Sequence, residues 1–373
     1  MTASLVRPVA GADIGAIAQI FQTQLRKSAE PASAALTDYL DQLFVSGPFA
    51  DPSLPSLVYQ RDDGTVAGFL GVTAQPFVLD DKPITAAVCG ALMVDGHERD
   101  PLAGARLLKA FLAGGQDVSL SETAGDATLT MWRQLQGGVL TRHSLDWVRV
   151  IRPGGFAIET MARRVGALRA LAPVAGLVDR RMTRGGSERG LRWAALADDF
   201  RIAGGVAIEP VSLADFAAQI RRFTDSFPIQ RHWSDSALQQ VLADLQHKSD
   251  YGALRICMVR ARGGATLGCF IYYHRPGATA RVLDVLASPE RAGIVLDCLL
   301  RDAADQGAVA VRGRTTPATF DALLERRCLM FRHSASVVAA RDPVLVERLK
   351  RGDAAFNGLV GERWSRLVGD AFA

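Results

Sequence analysis

The sequence predicts a mixed α/β protein made of two similar lobes, and three observations carry that reading. Helix and strand patterns alternate through the first 150 residues. The nearly all-apolar run over 84–94 suits a central strand buried on both faces. From about residue 205 the same order of patterns returns, which reads as a divergent internal duplication.

In the first lobe, 13–27 places Ile14, Ile17, Ile20 and Phe21 at helical spacing, with Asp13 available as the N-cap. A strand over 57–59 leads through the turn Asp62-Asp63-Gly64 into a returning strand over 66–79. Asp80-Asp81-Lys82 makes the next turn, before the strand over 84–94. A helix over 101–113, a strand over 118–120, a helix over 126–135 and a strand over 145–151 complete the series.

Residues 152–204 differ: they hold ten Arg and no Lys, with helical patterns over 158–165 and 168–172 and a break at Gly185-Gly186-Ser187. A connector packed between domains is the reading here, with a basic amphipathic helix for a membrane surface as its alternative.

The second lobe has helices over 213–223 and 234–246, then a hairpin of strands over 254–259 and 266–273 around Gly263-Gly264. A strand over 281–286, a helix over 293–304, a strand over 308–311, a helix over 318–327 and a strand over 334–339 follow. Thr266-Leu267-Gly268 echoes Val66-Ala67-Gly68, and Ser288-Pro289-Glu290-Arg291 echoes Gly96-His97-Glu98-Arg99. The expected domains are therefore 1–151, a helical Arg-rich connector over 152–204, a second domain over 205–341 and a helical tail over 342–373.

Composition narrows the function. Forty-three basic side chains against 39 acidic ones, with 49% apolar residues, give a balance proper to a globular chain. Lys occurs only five times, so the surplus is arginine and reflects coding bias more than a nucleic-acid footprint. No secretory signal or membrane span is expected, and the protein reads as cytoplasmic. The five Cys form no C-x-x-C pair and the six His no pair at ligand spacing, so reduced core thiols and no metal are expected.

One segment carries chemistry. Met93 to Leu108 joins the buried strand to a helix, and helix N-termini offer unpaired N–H groups and positive partial charge to a pyrophosphate. Small residues at Ala103, Gly104 and Ala105 would admit that anion to the backbone. Arg99 would add a charge-assisted hydrogen bond. The competing reading is an ordinary strand-to-helix loop with a solvated Arg.

This segment, together with the opening Val6-Arg7-Pro8 strand before Ala12-Asp13-Ile14 and the hairpin Asp62 to Phe69, resembles the GNAT superfamily of N-acetyltransferases. The resemblance covers about 1–150 and, more weakly, 205–340. It implies two tandem GNAT-like domains, acetyl-CoA as co-substrate and a small amine as acceptor. The family's acyl-CoA signature is Gln or Arg, two residues, Gly, one residue, then Gly or Ala. Arg99 and Gly104 match its ends, and Leu102 replaces the central Gly. The implied cofactor-binding set is Val94, Asp95, Arg99, Leu102, Ala103, Gly104 and Ala105. In the second copy Arg291-Ala292-Gly293-Ile294 lacks the glycine spacing, so its CoA site is expected to be lost. The run Gly361-Glu362-Arg363-Trp364 stands where similar bacterial proteins carry an acidic-aromatic tail.

The family commonly reprotonates the thiolate from a Tyr on the helix after the fifth strand, and no Tyr lies there. Thr130 or a water must substitute. For the base, Glu122 leads, then Asp126, then Glu98 or His97; the alternatives are a solvated charge for Glu122 and an N-cap for Asp126. Cys89 reads as core, with an acyl-carrying thiol as its alternative. Tyr272, Tyr273 and His274 end a strand and are candidates to line the acceptor groove, against simple cross-strand packing.

The leading expectation is an acyl-CoA-dependent N-acyltransferase acting on a small amine, amino acid or amino sugar, as a monomer or homodimer, with no nucleic-acid partner. A Fem-like aminoacyl transferase using charged tRNA, which would want a clear basic groove, and a non-catalytic GNAT-derived binding or regulatory protein are the alternatives.

Overall fold

The computed structural model describes residues 4–162, 179, 194, 202, 204–356 and 358–372. The N-terminal half runs β1 (Leu5–Pro8), α1 (Ile14–Gln24), α2 (Ala34–Asp41), β2 (Leu57–Gln60), β3 (Val66–Leu79), β4 (Lys82–Val94), α3 (Ala103–Leu112), β5 (Val118–Ala124), α4 (Asp126–Gln134), β6 (Gly138–Val139), β7 (Asp146–Val150) and α5 (Pro153–Ala162). The C-terminal half runs β8 (Val206–Pro210), α6 (Leu213–Thr224), β9 (Ile229–Arg231), α7 (Asp235–Leu245), β10 (Ala253–Ala261), β11 (Thr266–His274), β12 (Thr279–Ala287), α8 (Pro289–Asp305), β13 (Ala310–Arg314), α9 (Pro317–Glu325), β14 (Leu329–Phe331), β15 (Ala335–Ala340) and α10 (Pro343–Arg351).

Two mixed sheets result. The first has the order β1-β2-β3-β4-β5-β15-β6, with β9 paired to the far end of β3. The second has the order β14-β7-β13-β12-β11-β10-β8. Each sheet contains one parallel pair, β4 with β5 and β12 with β13, joined through α3 and α8. Gly68 on β3 and Gly268 on β11 admit these helices. A Cβ on Gly68 would come 3.1 Å from Leu107, and one on Gly268 2.6 Å from Val295.

The sheets depart from the expected domain limits. β7, expected to close the first domain, pairs antiparallel with β13 and β14 of the second sheet. β15, expected to close the second, pairs antiparallel with β5 and β6 of the first. Each lobe is therefore completed by a strand from the other half of the chain. Both exchanged strands are buried on two faces: all five residues of β7 are buried, and Val337 and Val338 of β15 have no exposure. Leaving either in place of its partner would open a strand edge and expose that apolar surface. Where the two connections cross, Leu140 donates to the Ser336 carbonyl at 2.9 Å and Thr315 to the Leu145 carbonyl at 2.8 Å.

The tail is helical only at its start. α10 ends at Gly352, in the left-handed region (φ 99°) that favours glycine at a helix end. The residues beyond it run as turns into the space between the lobes, where Trp364 is buried against Phe49 with ring centroids 4.9 Å apart. In the connector, α5 covers the start of the pattern expected over 158–165, while the helix expected over 168–172 and the break at 185–187 lie outside the described residues. Among the described residues no helix is long and apolar enough to cross a membrane. All five cysteines are free and buried.

Candidate active site

The parallel pair β4–β5 sets the geometry. Its register runs only from Ala86 opposite Val118 to Val88 opposite Leu120. Just beyond, the β3–β4 register slips so that Gly71 faces Ala91 and Val72 faces Cys89, leaving Gly90 as the extra residue of a bulge. A bulge bends its strand and ends regular pairing, so the later parts of β4 and β5 separate. The loop 95–102 then leads from β4 to α3.

That loop is braced from below. Gly96 takes φ +62° and its Arg99 neighbour closes the turn, the Arg99 amide donating to the Gly96 carbonyl at 2.8 Å. A Cβ at Gly96 would lie 2.9 Å from Arg61 Nη2, so both conformation and space call for glycine. Arg61 donates to the Asp95 carbonyl at 2.9 Å and pairs with Asp100 at 2.7 Å, and the Tyr59 hydroxyl reaches Asp100 at 3.1 Å. Gln24 donates to the Asp95 carboxylate at 3.1 Å. With Asp95 and Asp100 engaged, the loop presents His97, Glu98, Arg99 and Leu102 to solvent. Ala103 and Gly104 face inward instead; a Cβ on Gly104 would sit 3.6 Å from Met131 and 3.7 Å from Val94. Both residues are buried at the start of α3, and a Cβ on Gly104 would stand there in ordinary van der Waals contact.

The tail fills the region just past the last β4–β5 pair. The Glu362 carboxylate accepts from the Ser121 hydroxyl at 2.7 Å, the Glu122 amide at 2.8 Å and the Thr123 hydroxyl. Glu122 in turn accepts from the amides of Glu362 at 3.1 Å and Arg363 at 3.4 Å. A Cβ on Gly361 would meet Glu122 Oε2 at 2.1 Å, so glycine is what lets the two strands of this exchange approach. Burial, reinforced by Glu122, holds the Glu362 carboxyl above its ordinary range. Burial also pushes the Cys89 thiol up, with Glu362 adding to it, and the side chain packs in the core of the first lobe.

Two adjoining cavities open beside this contact and share Val282, Leu283, Arg314 and Arg363 as walls. The narrow one reaches Glu122, His143 and Asp284. Burial drives His143 down to about 3, so its ring is neutral, and drives Asp284 up to about 8. Asp284 Oδ1 accepts from the Val285 amide at 2.8 Å, while Oδ2 is buried without a hydrogen-bond partner. The larger cavity, about 380 Å³, runs from Thr123 of β5 to β12 and β13.

The sequence candidates divide accordingly. Glu122 lies at the cavity wall, and Tyr273 lines the larger cavity with its hydroxyl donating to the Leu245 carbonyl at 2.9 Å. Tyr272 does not join it. Strand alternation turns it to the other face of the sheet, where its hydroxyl meets Asp302 at 2.5 Å beside the Arg255–Asp302 pair. His274 shares that face, its ring 5.8 Å from Tyr272. Asp126 and Thr130 sit on the exposed surface of α4. The N-cap there is Gly125 and not Asp126, whose carboxylate takes Arg332 at 3.2 Å, and Thr130 returns a bond to the Asp126 carbonyl at 2.9 Å.

Sequence reading singled out the run holding Glu362 and Arg363 without a role for it, and missed Asp284, Arg281, Arg312 and Arg314. One signal was present: Asp284 is the lone charge in Val282-Leu283-Asp284-Val285-Leu286, and Arg312 and Arg314 stand two apart on one strand and hence on one face. Nothing local, however, reports that a tail residue docks on β5.

No family model and no curated protein sequence matches this chain. Solved structures do. A GCN5-related N-acetyltransferase from Anabaena variabilis ATCC 29413 aligns at TM-score 0.58 and 12% identity, over 91% of this chain and 73% of its own. A conserved protein of unknown function from Enterococcus faecalis V583, described as a probable N-acyltransferase, aligns at 0.58 and 11%, with the same coverage of 91% and 73%. A GCN5-related N-acetyltransferase from Kribbella flavida aligns at 0.53 and 13%, over 91% and 71%. The chain therefore has the fold of the GCN5-related N-acetyltransferase (GNAT) superfamily.

Proposed function

We propose that the protein is an acyl-CoA-dependent N-acyltransferase, with acetyl-CoA as donor and a small amine, amino acid or amino sugar as acceptor. The observation that carries this reading is the parting of β4 from β5 at the Gly90 bulge, directly before a braced loop and the start of α3. What supports a phosphate-bearing ligand at the loop is that Asp95 and Asp100 are engaged by Gln24, Arg61 and Tyr59, while Arg99 stays exposed at the rim beside the exposed Glu98. Val94 and Asp95 would carry the strand end of the site, and Arg99 with the backbone of Leu102 to Ala105 would hold the pyrophosphate.

When bound, the co-substrate supplies an activated acyl thioester. The chain's own part is to position the amine and to take its proton. Glu122 is the carboxylate at the cavity wall, and its contacts with the tail amides fix its orientation.

A non-catalytic reading has one observation in its favour, because Glu362 already occupies the β5 groups past the last strand pair. Calorimetric titration with acetyl-CoA, followed by thiol release with a panel of amines, separates the two. One site per chain and amine-dependent thiol release are expected. Binding without release from any amine, or no binding at all, would favour the non-catalytic reading.

A further inference from the structure

We propose that the larger cavity is an oxyanion site, so that the acceptor amine also bears a carboxylate or phosphate group. This deepens the acyltransferase reading where the amine is concerned, but the anion site stands on its own geometry. Lys248, Arg281, Arg312, Arg314 and Arg363 line the cavity, against one carboxylate, Asp146. Asp146 pairs with Arg312 at 2.5 Å and lies 3.9 Å from Arg314. Two of the others, Lys248 and Arg314, donate to neutral groups. Lys248 donates to the Ser365 and Val368 carbonyls at 2.5 and 2.6 Å. Arg314 donates to the His143 carbonyl at 2.6 Å and the Ser334 hydroxyl at 2.9 Å. Arg281 lies over the Tyr251 ring at 4.6 Å. Arg363 reaches the Val282 carbonyl at 3.4 Å and has Glu122 at 3.9 Å.

A carbonyl fixes a cation's direction without cancelling its charge. Like charges gathered around a partly desolvated space repel one another, and such a space focuses their field on an anion that enters. The arginine bias of the chain does not account for the cluster, because Lys248 is one of only five lysines and is 1% exposed. Burial lowers Lys248 to about 7, so an incoming anion would also favour its charged form. The volume, about 380 Å³, suits a small molecule. Thr123 of β5 lines the same cavity, so an oxyanion on the β12–β13 side leaves the rest of the ligand directed toward the β4–β5 opening.

The test uses matched pairs: phosphoethanolamine with ethanolamine, and β-alanine with β-alaninamide. Each is titrated calorimetrically into the full chain with and without CoA, and into Arg281→Met and Arg281→Lys. The anionic member of at least one pair is expected to bind about 10-fold or more tighter than its neutral partner, as loss of one charge-assisted contact implies. The pair that discriminates identifies carboxylate or phosphate as the source. Arg281→Met should erase most of that preference and Arg281→Lys should retain most of it. Equal binding within both pairs would overturn the proposal, as would full preference in Arg281→Met. Anion preference without any thiol release would sink the acyltransferase reading and leave the anion site standing. Thiol release without preference would do the reverse.

Discussion

The two lobes reach their helices differently from the same strand order. After β4 the chain spends residues 95–102 in a loop before α3 begins at Ala103. After β12 there is no loop: Ser288 is already the N-cap and Pro289 the first residue of α8. The first arrangement leaves a braced ledge with an exposed Arg99. The second puts Glu290 in the first helical turn, where a carboxylate already complements the helix dipole and repels an anion. The bulges differ as well. Gly90 and Ala91 stand at the β4 bulge, whereas Leu283 and Asp284 stand at the β12 bulge. The same strand order thus leaves one lobe with an open, braced loop before its helix and gives the other a buried carboxyl at its bulge.

The largest expected effect falls where the lobes meet. Glu122→Gln keeps an acceptor for the tail amides but cannot take a proton. Turnover should fall by roughly 10²–10⁴-fold, with thermal stability little changed. A loss below about 10-fold would make Glu122 a tail clamp only.

The next contrast pits the two loops against each other. Arg99→Glu should weaken acetyl-CoA binding about 100-fold by calorimetry, since it replaces a charge-assisted bond with repulsion. Arg291→Glu should leave that affinity unchanged. Equal losses in the two variants would mean that both lobes bind the co-substrate.

A smaller effect concerns the second bulge. Burial raises Asp284 to about 8, above its unfolded value near 4. A carboxyl raised in the folded state binds its proton more tightly there, so its stabilising contribution is complete below about pH 4 and is lost as pH rises toward 8. Asp284→Asn removes that dependence. Measured by denaturant unfolding, wild type should lose stability steadily relative to the variant between pH 4 and 8. Parallel pH profiles would show that Asp284 is not the buried neutral acid of this site.

Local patterns identified most elements because period and turn chemistry are local. The strand over 66–79 and its turn at Asp80-Asp81 follow from apolar run length and turn residues alone, and β3 spans those same residues. Elements whose stability comes from distant partners escaped. α2 carries a short helical signal, and its Ser33 cap, accepting from Leu36 at 3.2 Å, was the one local cue. β8, β9 and β14 are three to five residues long, too short for a period to register. Among candidate residues, Glu122 and Tyr273 reach the cavities, while Tyr272 and His274 turn away because adjacent residues of a strand point to opposite faces.

The sequence by itself determined the order of strands and helices, the repeat of that order, and the loop with Gly96 and Arg99 before α3. These are matters of neighbouring residues, where side-chain period, glycine conformations and helix starts act over a few positions. The tertiary structure alone decided that β7 and β15 exchange sheets, that Glu362 docks on β5, and that five basic side chains from β12, β13, α7's far end and the tail share one cavity. An apolar strand pattern states that a strand must be buried but not beside which edge. That choice is made by pairing and packing between segments nearly 200 residues apart, as Ser336 and Ser144 are, joined at 2.9 Å.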